Sequence, residues 1–556
     1  MKTLRDRCAL GGAALLVSAP ALLPYHAEPL LAFYQDWIAF ILGFAAALPI
    51  LWPQKNETAP VPPLAIGLFA LAAVVAVQPA FCNIAYVETN ATGVLYIAWA
   101  ALMVMAGARI REIFGIERVA DVLQRAWACG GFALAVTGFM QFYHITVAQM
   151  SILTAFGLGQ GMAGVIGQPN YLANILSCAL ASLLVLVANR RAHVAIGALA
   201  AAPIIVALAL SGSRSAWVFM AAMVLCAMFA RQRRLLAAAA AACAVFIAVN
   251  MAIAGAVIEL PAANTTTGVM KITQSLAAHS VDAPRKTLAL YGLHLFAGHP
   301  LLGVGWGEFT WNSFMAAPEL GVNASVVLDR HAHNLLLQLL AETGVIGALC
   351  VFVPLVAWAW WTISLGARAW RDPAGSRLNL AMTWMGTIAA IHAAQAMLEM
   401  PHWYGYMLGP FALVLGLGAP AALQVSFPGW TRVAPRIVLA ASLAVASVRL
   451  ADYMQLEDWT REAMASIHAQ RPLTRRLVAK LEQLHATVFA PEVEFIMAQI
   501  VSGGDVAGRL ALNARALHIF PLQLLLNDRI ELLRSTGAND EADAIERSAD
   551  AVWPKR

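Results

Sequence analysis

Charge is scarce in this chain. Of its 556 residues only 12% are Asp, Glu, Lys or Arg, about half the share of an ordinary soluble domain, whereas 60% are apolar and the mean hydropathy is +0.69. So little charge excludes a disordered, collagen-like or nucleic-acid-binding chain. Strict apolar/polar alternation is missing too, which excludes a membrane β-barrel. The seven cysteines, at positions 8, 82, 129, 178, 226, 243 and 350, stand far apart with no C-x-x-C. Neither a disulfide framework nor a zinc site is indicated.

What the chain has instead is runs of about 20 nearly uncharged residues, the length of a membrane-spanning helix. Thirteen can be read, near 9–25, 35–53, 61–80, 91–107, 126–147, 171–189, 194–210, 215–230, 235–259, 335–363, 379–399, 403–425 and 436–452. The expected fold is an all-α polytopic membrane protein of about 13 spans (12–14). Half of the lysines and arginines fall in alternate loops if the N-terminus is cytoplasmic, from Lys2, Arg5 and Arg7 through Arg109, Arg111, Arg190 and Arg191 to Arg432 and Arg436. The positive-inside rule then fixes the orientation. The first run resembles a signal peptide, but the basic loops keep their phase only if it stays and counts as a span.

Four regions follow. Residues 1–259 hold spans one to nine and a Gly-rich outside loop at 148–170. A large outside loop covers 260–334, and spans ten to thirteen cover 335–454. With an odd number of spans, residues 455–556 lie opposite the N-terminus, on the periplasmic side of a bacterial inner membrane. Their apolar residues recur every three or four positions, as in Glu457–Gln470, Thr474–Thr487 and Asp540–Val552, which predicts a small helical domain. Pro and Gly punctuation suggests helix pairs loosely like tetratricopeptide units, without a strict 34-residue period. The span interiors read as plain, Asn250 apart.

Most candidate chemical groups sit in the outside pieces. In Asp329-Arg330-His331-Ala332-His333-Asn334 an imidazole stands where a long loop enters an apolar helix. His331 and His333 could equally be interfacial or capping residues. A metal on His-x-His is the poorer reading, because the two rings would diverge on a helix and no carboxylate cluster completes a site.

His333-Asn334, nine residues and then Gly344-x-x-Gly347 resembles the signature of the O-antigen ligase and polymerase superfamily. So does Arg285 followed by Phe296-Ala-Gly-His299-Pro300-Leu-Leu-Gly303-Val-Gly305-Trp-Gly-Glu-Phe309. Within the superfamily, Gly164-Val-Ile-Gly167-Gln168-Pro169-Asn170 and the helical tail are similar to bacterial protein O-oligosaccharyltransferases of the pilin-glycosylation (PglL) type. Ala348 departs from the ligase pattern, where Gly, Thr or Tyr is usual.

The resemblance implies a glycosyltransferase that moves an oligosaccharide from undecaprenyl pyrophosphate to Ser/Thr hydroxyls of a protein. Its expected partners are the lipid-linked donor, the protein acceptor and the bilayer, with no nucleic acid. His333 is expected as the base that helps a poorly nucleophilic hydroxyl. Arg214, in Ser211-Gly-Ser-Arg-Ser215, and Arg285 are expected to stabilise the departing diphosphate by bidentate contact. Lys271 and Arg330 are spare cations. Asp329 and Glu308 read as isolated, so no acid pair is set for double displacement and the reaction should invert the sugar. No D-x-D stands in an outside loop, so no metal and no cofactor are expected.

Gln168, Asn170, Tyr404, Asn334, Arg330, His331 and Glu399 make up the expected substrate-binding set. Each has a plainer alternative. Gln168 and Asn170 suit a turn and helix cap, Tyr404 an aromatic belt, Arg214 a snorkelling cation, and Arg285 an amphipathic helix face. Glu399, an acid at a span end, is expected to pair with an arginine. Two other functions compete: the same chemistry with lipid A core or a growing polysaccharide as acceptor, and a transporter of lipid-linked sugars. The transporter would need internal repeats and midplane charges.

Overall fold

The computed structural model describes residues 3–51, 58–143, 145, 161–230, 232–255, 267–277, 283–320, 329–371, 376–420, 423–426, 433–468, 475–484, 487–500 and 505–553. Most of the Gly-rich loop, at 148–160, lies outside the described residues, as do 260–266, 278–282 and 321–328 of the large loop.

Every apolar run found in the sequence coincides with a helix. The first nine are α1 (Leu4–Leu16), α2 (Phe33–Leu51), α3 (Pro63–Val77), α4 (Val87–Phe114), α5 (Ile116–Phe142), α6 (Pro169–Ala188), α7 (Val194–Leu210), α8 (Ser215–Met228) and α9 (Arg233–Ala254). The large loop contributes α10 (Gly268–Ala277), α11 (Ala283–Gly298) and α12 (Phe309–Leu320), before α13 (Leu335–Arg371), α14 (Ser376–Ala396), α15 (Gly405–Leu417) and α16 (Val433–His468). The tail adds α17 (Arg475–Leu484), α18 (Ala490–Ile500), α19 (Val506–Ile519), α20 (Gln523–Ser535) and α21 (Asn539–Val552).

Among the described residues, six helices are long and apolar enough to cross a membrane: α2, α3 with its 3-10 extension to Ala80, α4, α6, α9 and α13. Shorter apolar helices are α7, α8 and α15. The first apolar run is helical only to Leu16, because Pro20 and Pro24 interrupt it. The twelfth run was read to 425, but α15 stops at Leu417 before Gly418 and Pro420. Leu423–Ser426 then pairs antiparallel with Thr58–Val61, a two-stranded clasp that the all-α expectation missed.

The largest core gathers α1, α2, α4 to α9, α14 and α15. Within it α6 is buried on nearly its whole circumference, as an all-round apolar helix requires. The reading of plain span interiors does not survive. Asn174 on α6, with His392 and Gln395 on α14, are among the fully enclosed side chains. One polar residue barely changes the hydropathy of a 20-residue window, so composition hides it.

At the bundle's far end from the candidate site, Arg111 donates to the carbonyls of Leu417 and Ala419 past the C-terminus of α15. There the first turns of α5 meet the loop after α6, with Arg191 3.8 Å from Asp121.

A second core joins two regions that the sequence separated. Tyr291, Phe309 and Phe314 of the large loop pack with Leu517, Leu526 and Ile545 of the tail. A third packs Tyr453, Trp459, Leu481 and Val493 against Phe33 and Tyr34 at the start of α2. The boundary drawn at 454/455 falls inside α16, which runs unbroken from Val433 to His468. Amphipathic pattern replaces continuous apolar pattern there, but the hydrogen-bond ladder does not notice.

Candidate functional site

The two motifs that carry the resemblance are halves of one interlock. The α13 helix is kinked at Gly344, whose φ of 62° lies in the left-handed region. A Cβ at Gly344 would sit 2.2 Å from the carbonyl oxygen of Leu301, so no other residue lets the loop approach this closely. Val345 donates to the Pro300 carbonyl and Val304 to that of Ala341, each at 2.8 Å. The Pro300–Gly307 stretch is thereby fixed on the kink, about three turns along the helix that His333 precedes.

His333 precedes α13 with a φ of 49°, an uncommon conformation for a residue with a side chain. Its ring is held at both nitrogens. Nε2 lies 2.9 Å from Oδ2 of Asp329 and Nδ1 lies 3.1 Å from Oε2 of Glu399. These two carboxylates outweigh the opposing effect of burial and push the imidazole up to about 9. At neutral pH His333 is therefore an imidazolium, and in this arrangement neither nitrogen can accept a proton. The expectation of a ready base needs that correction.

The reading of Asp329 as isolated also fails, since it touches the imidazole four positions further along the chain. Burial pushes its carboxyl up, but the bond and charge of His333 prevail and hold it below its ordinary value. Glu308 is not isolated either. It accepts from the Ala85 amide at 2.7 Å and meets Nδ1 of His518 in the tail.

Glu399 is the hub of the site. Besides His333, its carboxylate takes the Asn170 amide at 2.9 Å and lies 3.9 Å from an Nη of Arg285. Asn170 in turn accepts from the hydroxyl of Ser213 at 2.7 Å, next in the chain to Arg214. His333, Glu399, Asn170 and Arg285 thus meet directly, from four separate segments. Arg214, at the N-terminus of α8, joins them through Ser213 and lies within electrostatic reach of Lys271, whose ammonium is lowered by burial and by that guanidinium.

The remaining expected residues divide. Gln168 caps α6, its Oε1 accepting from the Tyr171 amide at 2.6 Å ahead of Pro169. Tyr171 packs 5.1 Å from Tyr404, so the cap fixes the ring beside Tyr404. Arg330 and Glu399 both lie within electrostatic range of the Tyr404 hydroxyl. His331 is pushed down to about 4 by burial and is neutral. Asn334 is spent structurally, its Oδ1 accepting from the Leu337 amide at 3.1 Å at the start of α13 and its Nδ2 donating weakly to the Met397 carbonyl. Sequence reasoning passed over Ser213 and Tyr171 because their roles depend on contacts across more than 40 residues.

What the geometry defines is a centre in which an imidazolium, two carboxylates and an arginine converge at one end of a helical bundle. Residues 199–352, which include Arg214, Arg285 and His333, match the family model described as O-antigen ligase. Residues 380–556, with Glu399, Tyr404 and the whole tail, match that of the C-terminal part of virulence factor membrane-bound polymerases. No curated protein matches the chain. Over these two stretches the chain is similar to membrane enzymes of the O-antigen ligase and polymerase group.

Proposed function

We propose that the protein transfers an oligosaccharide en bloc from undecaprenyl pyrophosphate to Ser or Thr hydroxyls of a protein, on the periplasmic side of a bacterial inner membrane that it crosses thirteen times. The observation that carries the reading is the meeting of Arg285 and His333 on the single carboxylate of Glu399. Diphosphate leaving groups need concentrated positive charge, and hydroxyl acceptors need a proton acceptor.

Asp329 occupies the place on Nε2 that an acceptor hydroxyl requires. The acceptor displaces it, the imidazolium loses the partner that raised its pKa, and its Nε2 proton passes to water. The freed lone pair takes the hydroxyl proton while the acceptor oxygen bonds to the anomeric carbon. The bond from that carbon to the diphosphate oxygen breaks with its electron pair on oxygen, and Arg285 and Arg214 take up the charge. A single displacement inverts the carbon. Glu399 keeps its bond to Nδ1–H throughout, the orienting role of the acid in a hydrolase triad.

The match of residues 380–556 to membrane-bound polymerases favours a second acceptor for the same centre, the hydroxyl of a growing polysaccharide. Purified protein supplied with undecaprenyl-pyrophosphate glycan separates the readings when offered a Ser-containing polypeptide, lipid A core and a lipid-linked chain. Glycosylated polypeptide is expected. Transfer to core lipid alone, or chain elongation alone, moves the acceptor elsewhere, and no transfer to any of the three discards the reaction class. An inactive alkaline phosphatase fused after residue 556 would overturn the thirteen-span topology.

A further inference from the structure

Close to His333 a set of aromatic rings is held in place more firmly than packing alone requires. In the Gly305–Gly307 turn every amide is tied: Gly305 donates to the Glu342 carbonyl at 3.2 Å, Trp306 to Oε1 of Gln78 at 3.0 Å, and Gly307 to Oε1 of Glu342 at 3.1 Å. The indole of Trp306 rests on Gly93 of α4, where a Cβ would come within 2.4 Å of Nε1. Trp403 stacks on Trp306 at 5.3 Å between centroids and 8° between planes. His331 adds a third ring 5.2 Å from Trp403, inclined at 61°.

Two of these rings sit on the segments that carry the reacting groups. Trp403 follows Glu399 by four residues, on the 3-10 turn Pro401–Trp403, and His331 precedes His333 by two. Both indoles are half-buried, and Nδ1 of His331 is a buried nitrogen with no hydrogen-bond partner among the described residues. A pyranose has faces of C–H bonds and a rim of neutral hydroxyls. It suits an indole plane bordered by uncharged donors and acceptors, such as indole N–H groups and the neutral imidazole of His331.

We propose that Trp403, backed by Trp306 and flanked by His331, is a sugar subsite that holds the glycan of the donor beside the His333–Glu399 centre. The subsite rests on the transferase reading and deepens it: the arginines recognise the diphosphate, and this platform recognises what the diphosphate carries.

The test uses full-length protein in lipid nanodiscs and two probes, undecaprenyl pyrophosphate bearing an oligosaccharide and the same lipid without sugar. Trp403→Ala should weaken binding of the glycan-bearing lipid about tenfold, and that of the bare lipid less than about twofold. Trp403→Phe should keep most of the selectivity, and Trp306→Ala should lose part of it by freeing the Trp403 plane. Equal weakening of both lipids would assign Trp403 to the membrane interface and overturn the proposal, as would unchanged affinity for both. Glycan-selective binding with no transfer to any acceptor would keep the subsite and discard the transferase reading. Transfer by the parent with an unaltered affinity ratio in Trp403→Ala would discard the subsite alone.

Discussion

Among the imidazole–carboxylate contacts of the described residues, two from different regions are built for opposite purposes. His518 of the tail meets Glu308 of the large loop with Trp311 stacked on its ring, and the two side chains are only 15% and 3% exposed. His333 meets Asp329 with side-chain exposures of 25% and 40%, has a second carboxylate on its other nitrogen, and shares that carboxylate with an arginine. The enclosed pair fastens chain to chain: Glu308 also holds the Ala85 amide, one residue before Tyr86, whose hydroxyl donates to Glu494 of α18 at 2.7 Å. The open pair leaves room for a substrate group and sits among cations. Chemical identity of the partners is the same in both. Enclosure and neighbouring charge decide which contact is structural.

The comparison breaks most sharply with His333→Ala. Transfer should fall about 10²–10⁴-fold, the usual worth of a positioned acid or base, with an unchanged thermal midpoint. A loss under tenfold would move catalysis elsewhere. His518→Ala should act the other way round. It removes one hydrogen-bond partner from the buried carboxylate of Glu308, which costs about 1–3 kcal/mol and should lower the thermal midpoint by a few degrees. An unshifted midpoint would make the latch decorative.

Asp329→Asn sharpens the comparison through pH. In the parent, deprotonation of an imidazolium raised to about 9 should give kcat/KM a limb that climbs with pH toward that value. Removing one of the two acids that raise His333 should slide the limb to lower pH, nearer the unperturbed imidazole range of about 6.5. A limb that stays in place would exclude Asp329 as the group that keeps the proton on Nε2. Smallest is Asn334→Ala, which deletes a helix cap worth about 1 kcal/mol and should leave KM for donor unchanged. A large rise in that KM would return Asn334 to the substrate contacts.

Much of the architecture was legible because the signal is redundant. Each apolar run repeats the same message over about 20 residues, so α2, α6 and α9 could be placed within about five residues, whereas α4 and α13 continue to Phe114 and Arg371, past the ends of their apolar runs at 107 and 363. Contacts that rest on single residues were not legible. Asp329 and Glu308 carry no local sign of a partner, and Glu399 lies 66 residues from the imidazole that it holds. The Thr58–Val61 and Leu423–Ser426 clasp is four residues a side with a proline, too short to leave a period. For the site, motif residues identified His333, Arg285, Asn170 and Glu399, and the acid at a span end was signal enough for the last. What the motifs could not convey is protonation, because the state of His333 depends on two carboxylates arriving from different segments.

The unbroken helix from Val433 to His468 has a mechanical consequence. At 1.5 Å per residue its 36 residues make a rod about 54 Å long. Its far half is anchored where Glu457 accepts from Tyr25, Tyr34 and Arg461. The tail is therefore braced rather than leashed: the strut sets its distance from the bundle, and the packing of its later helices on the large loop sets its bearing. Inserting a single turn of helix near Arg449 would lengthen the strut by one pitch, about 5.4 Å, and pull those two restraints out of register.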